Sequence, residues 1–211
     1  MTLGEAADEL VRLGSEFYRR GWMLGTSGNL SAVISDDPLR LAITASSIDK
    51  GRMNAAQILE IGGDGKAVDR PGHNQGWPSA ETLLHLEVVR CTGARAVLHT
   101  HSVWSTTLSD FHHARGGFNI EGYEMLKGLH GVVSHEHREW IPVVENTQDM
   151  RALAVVTRDI LEKNPNVHGM LVRRHGMYTW GKDLATAARH VEILEFLLEA
   201  VGRRQMMEPQ P

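Results

Sequence analysis

The sequence predicts an α/β domain of three layers, an α/β/α sandwich around a mixed, largely antiparallel sheet. Three observations carry this. Helical and strand periodicities alternate along the whole 211-residue chain. Several strand pairs are joined by short turns, which makes neighbours antiparallel. No repeat, linker or low-complexity run interrupts the pattern, so one domain is expected over residues 1–204, with a frayed tail over 205–211.

The elements follow in order. Residues 4–20 place Ala7, Leu10, Val11, Leu13 and Phe17 at helical spacing, and Gly21 ends the run. Residues 29–34 and 39–44 read as strands joined by Asp36-Asp37-Pro38. A third strand over 57–61 stops at Gly62-Gly63-Asp64-Gly65 and is expected to return as a hairpin. Ser79 caps a helix over 80–91 that turns Leu83, Leu84 and Val88 inward. A short buried strand, 96–101, precedes a helix beginning near Ser102. Residues 111–139 are rich in Gly, His and charge, so only a turn of helix near 123–127 is expected there. Residues 141–145 form a strand, and Thr147 caps a helix that Asn164-Pro165 ends. A hairpin turns at His175-Gly176. Asp183 then caps a last helix to about Arg203, with Leu184, Ala187, Val191, Leu194 and Leu198 on one side.

The composition narrows the function. A net charge of −4 gives no electrostatic case for nucleic acid or an anionic membrane, so any bound anion must be captured by a few placed donors. A single cysteine, Cys91, excludes an intrachain disulfide and suits a reducing compartment. The amphipathic first residues lack the apolar core of a signal peptide, and no apolar run approaches a membrane span, so a cytoplasmic protein is expected. Histidine is the unusual count, at 12.

His99 and His101 sit at i and i+2 of the short strand, where side chains share a face. The apolar lead-in Ala96-Val97-Leu98 anchors the strand while its end opens. A catalytic zinc needs about three protein ligands and an open position, and His175, beside the small Gly176, is the best third candidate. His135-Glu136-His137 has the same spacing but lies among charges, and reads as a solvated loop. His112 and His113 are expected at the surface, and His73, His85, His130, His168 and His190 read as single packed or exposed residues.

An anion site is suggested by three polar clusters flanking strands. Thr26, Ser27, Gly28 and Asn29 form a loop able to turn several N–H groups toward one anion. Ser46, Ser47 and Lys50 follow the second strand, and the lysine would supply charge. Ser79 stands at a helix start, where an anion is favoured. Glu81 and Glu124 are candidate bases for taking a proton beside a metal-activated carbonyl. The residues alone do not choose between them.

In this order, Gly-Thr-Ser-Gly-Asn (25–29), Thr-Ala-Ser-Ser (44–47), Pro-Ser-Ala-Glu (78–81), His-Thr-His (99–101) and Arg-Arg-His-Gly (173–176) resemble the class II aldolase/adducin family over residues 5–203. The resemblance implies the class II aldolase-like sandwich, a cytoplasmic homotetramer with sites near subunit contacts, and one Zn2+ per subunit on His99, His101 and His175. It also implies a small phosphorylated ketose as substrate. Tyr-Glu-Met-Leu-Lys-Gly (123–128), Ile141 to Thr147 and His175 to Lys182 are closest to dehydratases of the family, in which the Glu124 position is the acid–base residue. In the sugar-phosphate aldolases the Glu81 position takes that part, so Glu81 is a fourth ligand or a second base here. The aldolase pattern has two serines before that carboxylate, whereas this chain has Ser79 followed by Ala80. The rival readings are an aldolase or 4-epimerase and a metal-free, adducin-like binding module.

Overall fold

The computed structural model describes residues 1–68 and 76–207. His73 lies outside the described residues. Of the hairpin expected after Gly65, only an isolated antiparallel bridge from Ala67 back to Ile61 falls within them.

Among the described residues, eight strands form one sheet: β1 (Asn29–Asp36), β2 (Leu39–Thr44), β3 (Ile58–Gly62), β4 (Ala96–Thr100), β5 (Gly117–Ile120), β6 (Glu139–Val144), β7 (Gly169–Val172) and β8 (Gly176–Gly181). Their spatial order is β3-β2-β1-β4-β8-β7-β6-β5. Every pairing is antiparallel except β6 with β7. Helices α1 (Leu3–Arg19), α3 (Val103–His112) and α5 (Leu184–Met207) cover one face, and α2 (Thr82–Thr92) and α4 (Met150–Lys163) the other. This is the expected sandwich.

Alternation along the strands builds two cores. Ala96 and Leu98 of β4 pack toward α1 and α5, and Val97 packs toward α2. Leu10, Leu13 and Phe17 of α1 are fully buried, each stabilising the fold by about 1.5–3 kcal/mol. Leu184, Ala187, Val191, Leu194 and Leu198 of α5 are buried as their spacing predicts.

Several expectations are corrected. Helix α2 begins at Thr82, because Ser79 spends its hydroxyl on the Glu81 N–H and its carbonyl on the Thr82 N–H in a preceding turn. Leu83 is only half-buried. Helix α4 is capped by Asp149, whose carboxylate accepts from Arg151 and Ala152, while the Thr147 hydroxyl accepts from Asp149 N–H. Helix α5 runs through Met207, beyond the expected end near Arg203. Within 111–139, where only a helical turn was expected, β5 adds an edge strand. His112 is buried, stacked on Phe118 at 4.2 Å between ring centres.

Candidate active site

The end of β4 meets the β7–β8 hairpin, and three imidazoles converge there. His99 is fully buried, pointing to the same face as Val97 and stacked on Tyr178 at 3.9 Å. Its Nδ1 lies 2.9 Å from the Met177 carbonyl, which can only accept, so Nδ1 carries the proton and Nε2 presents a lone pair. That Nε2 is 2.8 Å from His101 Nε2 and 3.3 Å from His175 Nε2. Burial pushes His99 down to about 4 and His101 down to about 2, so both rings are neutral and ready to ligate. With its proton on Nδ1, a neutral His101 turns a second lone pair to the same point, where a cation would be held. Ligand atoms about 2.05 Å from a tetrahedral zinc stand about 3.3 Å apart, which matches the His99–His175 distance, while the His99–His101 distance is shorter. His99, His101 and His175 therefore fit a zinc-type ion. Gly176 makes the approach possible: a Cβ there would strike the Thr100 carbonyl oxygen and come within 3.0 and 3.1 Å of the His101 and His99 rings.

Glu81 completes the cluster. Its carboxylate is 3.2 Å from His175 Nε2 and 3.7 Å from His99 Nε2. Burial raises its pKa, but His99, His175 and the Asn29 amide outweigh burial and hold it below the usual carboxylate range. A chain of hydrogen bonds stands behind it. Asn29 Nδ2 donates to Glu81, so Asn29 Oδ1 faces His85 Nε2 as an acceptor. His85 must then carry its proton on Nε2, and the Ser31 hydroxyl donates to its Nδ1 at 2.7 Å. Burial pushes His85 down to about 4, which keeps this direction of donation. His85 and Tyr178 were not singled out as site residues from the sequence. The i, i+4 spacing of Glu81 and His85 on one helical turn was the available signal for the first.

The anion donors line the same cavity. A space of about 200 Å3 is bounded by Thr26, Ser27, Gly28, Asn29, Ser46, Ser47 and Ser79, together with Glu81, His101 and His175. Ser27 Oγ is buried with no hydrogen-bond partner among the described residues, a group that an anion would satisfy. Gly28 has φ +69°, and a Cβ there would come within 2.5 Å of the His99 carbonyl oxygen, so the loop can pass this close only with glycine. Lys50 does not line the cavity. It is 1% exposed and donates to the carbonyls of Ile48 at 2.8 Å and Thr26 at 3.3 Å, bracing the loop from behind. Burial pushes Lys50 down to about 8, offset in part by Asp49 and Glu81.

Glu124 is not brought to this cavity within one chain. It opens a 3-10 turn over Glu124–Gly128, its side chain is 70% exposed, and it pairs with Lys127 and, at 3.8 Å, with His135 Nδ1. His137 departs from the expected solvated loop, lying 2.7 Å from the buried Glu139.

Known proteins resemble this chain in sequence and in fold. The sequence profile described as the class II aldolase and adducin N-terminal domain matches residues 8–201. A methylthioribulose-1-phosphate dehydratase of Marinobacter nauticus is 43% identical over 195 residues, covering 92% of this chain and 91% of that one. A protein of the same name from Acidiphilium cryptum is 42% identical over 209 residues, covering 97% and 93%. Among solved structures, L-fuculose-1-phosphate aldolase from Thermus thermophilus superposes with a TM-score of 0.71 at 23% identity, over 94% of each chain, a likeness of fold.

Proposed function

The chain belongs to the class II aldolase and adducin family, and on that premise we propose that it is a hydro-lyase converting 5-methylthioribulose 1-phosphate to 2,3-diketo-5-methylthiopentyl 1-phosphate, a step of methionine salvage. The observation that carries this reading is one cavity in which an anion cradle meets three imidazoles and a carboxylate.

The cradle residues Thr26, Ser27, Ser46, Ser47 and Ser79 offer hydroxyls to the phosphate, and Lys50 holds the loop in shape through the Thr26 carbonyl. His99, His101 and His175 would hold a zinc ion, which supplies Lewis acidity beside the ketone and makes the adjacent C–H more acidic. A carboxylate then takes the C3 proton, the resulting enediolate expels the C4 hydroxyl, and that hydroxyl leaves as water after accepting a proton from the same carboxylic acid. Ketonisation completes the diketone. The dehydratase resemblance gives the carboxylate role to Glu124. Its exposure in one chain fits the homotetramer that the resemblance also implies, with a neighbouring copy presenting Glu124 to the cavity. A cytoplasmic setting accords with the single cysteine, Cys91, which is free.

Glu81 supports the second reading, an aldolase or 4-epimerase, because it is the carboxylate already inside the cavity. A direct assay separates the two. Protein given 5-methylthioribulose 1-phosphate should generate the ultraviolet absorbance of the diketone and its enol. Glu124→Gln should lower that rate by about 100-fold or more with metal content intact, the usual size for losing a general base. Full activity of Glu124→Gln would remove Glu124 as the base, and condensation of dihydroxyacetone phosphate with aldehydes in place of dehydration would overturn the dehydratase assignment.

A further inference from the structure

A second set of ligating side chains converges away from the catalytic cavity. Glu139 opens β6 and is 1% exposed. Its carboxylate lies 2.7 Å from His137 Nε2 and 3.0 Å from His168 Nδ1. The three donor atoms lie within 4.8 Å of one another, the same closeness found for His99, His101 and His175. With Glu139 buried behind them, His137 and His168 border a cavity of about 510 Å3 that also touches Trp180 and Gly181. Those residues are at the far end of β8 from Gly176, so this group sits at the opposite end of the sheet.

The tautomers sharpen the point. His168 Nε2 is 2.8 Å from the His130 carbonyl, which can only accept, so Nε2 carries a proton. The Nδ1 of a neutral His168 would then aim a lone pair at the Glu139 carboxylate. His99 is arranged the same way, with one nitrogen fixed on a backbone carbonyl and the other turned into its cluster. Such an outer hydrogen bond to a carbonyl is the usual support of a ligating imidazole. A lone pair and a carboxylate 3.0 Å apart need a positive charge between them. One proton on His168 would serve that pair alone. His137 Nε2 lies on Oε2, an oxygen that His168 Nδ1 also approaches, so three donors gather around one point, and the adjoining cavity leaves room for entry and for an open ligand position. Two imidazoles and a carboxylate suit a zinc-type ion and not magnesium or calcium, which prefer all-oxygen sites.

The geometry points to a second divalent-cation site on His137, Glu139 and His168, taking a zinc-type transition metal and tying the segment after Gly128 to the start of β7. It is independent of the dehydratase reading. The test uses the full-length protein, stripped with chelator and titrated with cobalt(II) near neutral pH, counting bound equivalents by dialysis and by the visible absorption of the ion. Wild type should bind two equivalents per chain, His137→Ala one, and His101→Ala one. His137 is partly exposed, and His137→Gln serves if the alanine variant misfolds. A single equivalent in wild type, meaning that Glu139 and His168 are held by a proton, would overturn the proposal, as would two equivalents retained in both His137 variants. A His101→Ala protein that keeps two equivalents would count against the catalytic metal cluster and leaves the His137 comparison to decide the second site.

Discussion

The residues beneath the site are as specific as those lining it. Glu195 of α5 is buried and accepts from the Thr100 hydroxyl at 2.8 Å, directly under the His99–His101 segment. Burial raises its carboxyl from 4.5 to about 7, and the Ser102 and Thr100 hydroxyls offset only part of this. The folded state therefore binds this proton more tightly than the unfolded chain. Stability from this group is complete below about pH 4.5, falls as pH rises toward about 7, and stays reduced above that. The loss is on the order of 3 kcal/mol at most. Glu195→Gln keeps the shape and cannot ionise. It should therefore melt higher than wild type at about pH 8, with the difference shrinking at about pH 5. Thermal unfolding of the pair at both pH values measures this, and an equal difference at the two would refute it.

At the scale of elements, the β7–β8 hairpin and the end of β4 form one device. Their close approach depends on Gly176, as the crowding around a Cβ there shows. Gly176→Ala should splay the hairpin and weaken metal binding on the order of 10–100-fold, the effect typical of disturbing groups that orient ligands. Zinc titration checks this, with far-UV circular dichroism confirming the fold, and unchanged affinity would dismiss the argument. The same elements show what the sequence could reveal. Strand alternation placed His99 and His101 together, and a turn beside a small residue nominated His175. The loop donors were visible as Gly, Ser and Asn clusters, and all except Lys50 line the cavity. Lys50 was misjudged as a direct donor because sequence records a charge but not the carbonyls that claim it. His85 shows locally only as the i, i+4 neighbour of Glu81, because its hydrogen bond to the site runs through Asn29, 56 residues away. Strand β5 was missed because it is four residues long and finds its partner, β6, across an irregular segment. The starts of α2 and α4 were misplaced because several capping residues stand close together and only the local turn decides among them.

For the whole molecule, the question is how an exposed Glu124 could serve a cavity it does not line. The cavity rim gives a reason to expect a neighbour. Trp77, whose carbonyl accepts from the Ser46 N–H at the cradle, is 67% exposed. Large apolar groups left in water near a site are the kind of surface that a second copy covers. If each cavity takes its histidines from one chain and its Glu124 from the next, two inactive variants should rescue one another. His101→Ala lacks a ligand but keeps Glu124, and Glu124→Gln lacks the base but keeps its ligands. In randomly mixed rings from co-expression, half the cavities have intact histidines and half of those face an intact Glu124, so about a quarter of wild-type activity should return. If Glu124 serves its own chain, no mixed ring contains a complete site and the activity stays at the level of the separate variants. Purification through two different tags isolates the mixed oligomers, and their dehydration rate decides whether the catalytic unit is the chain or the assembly.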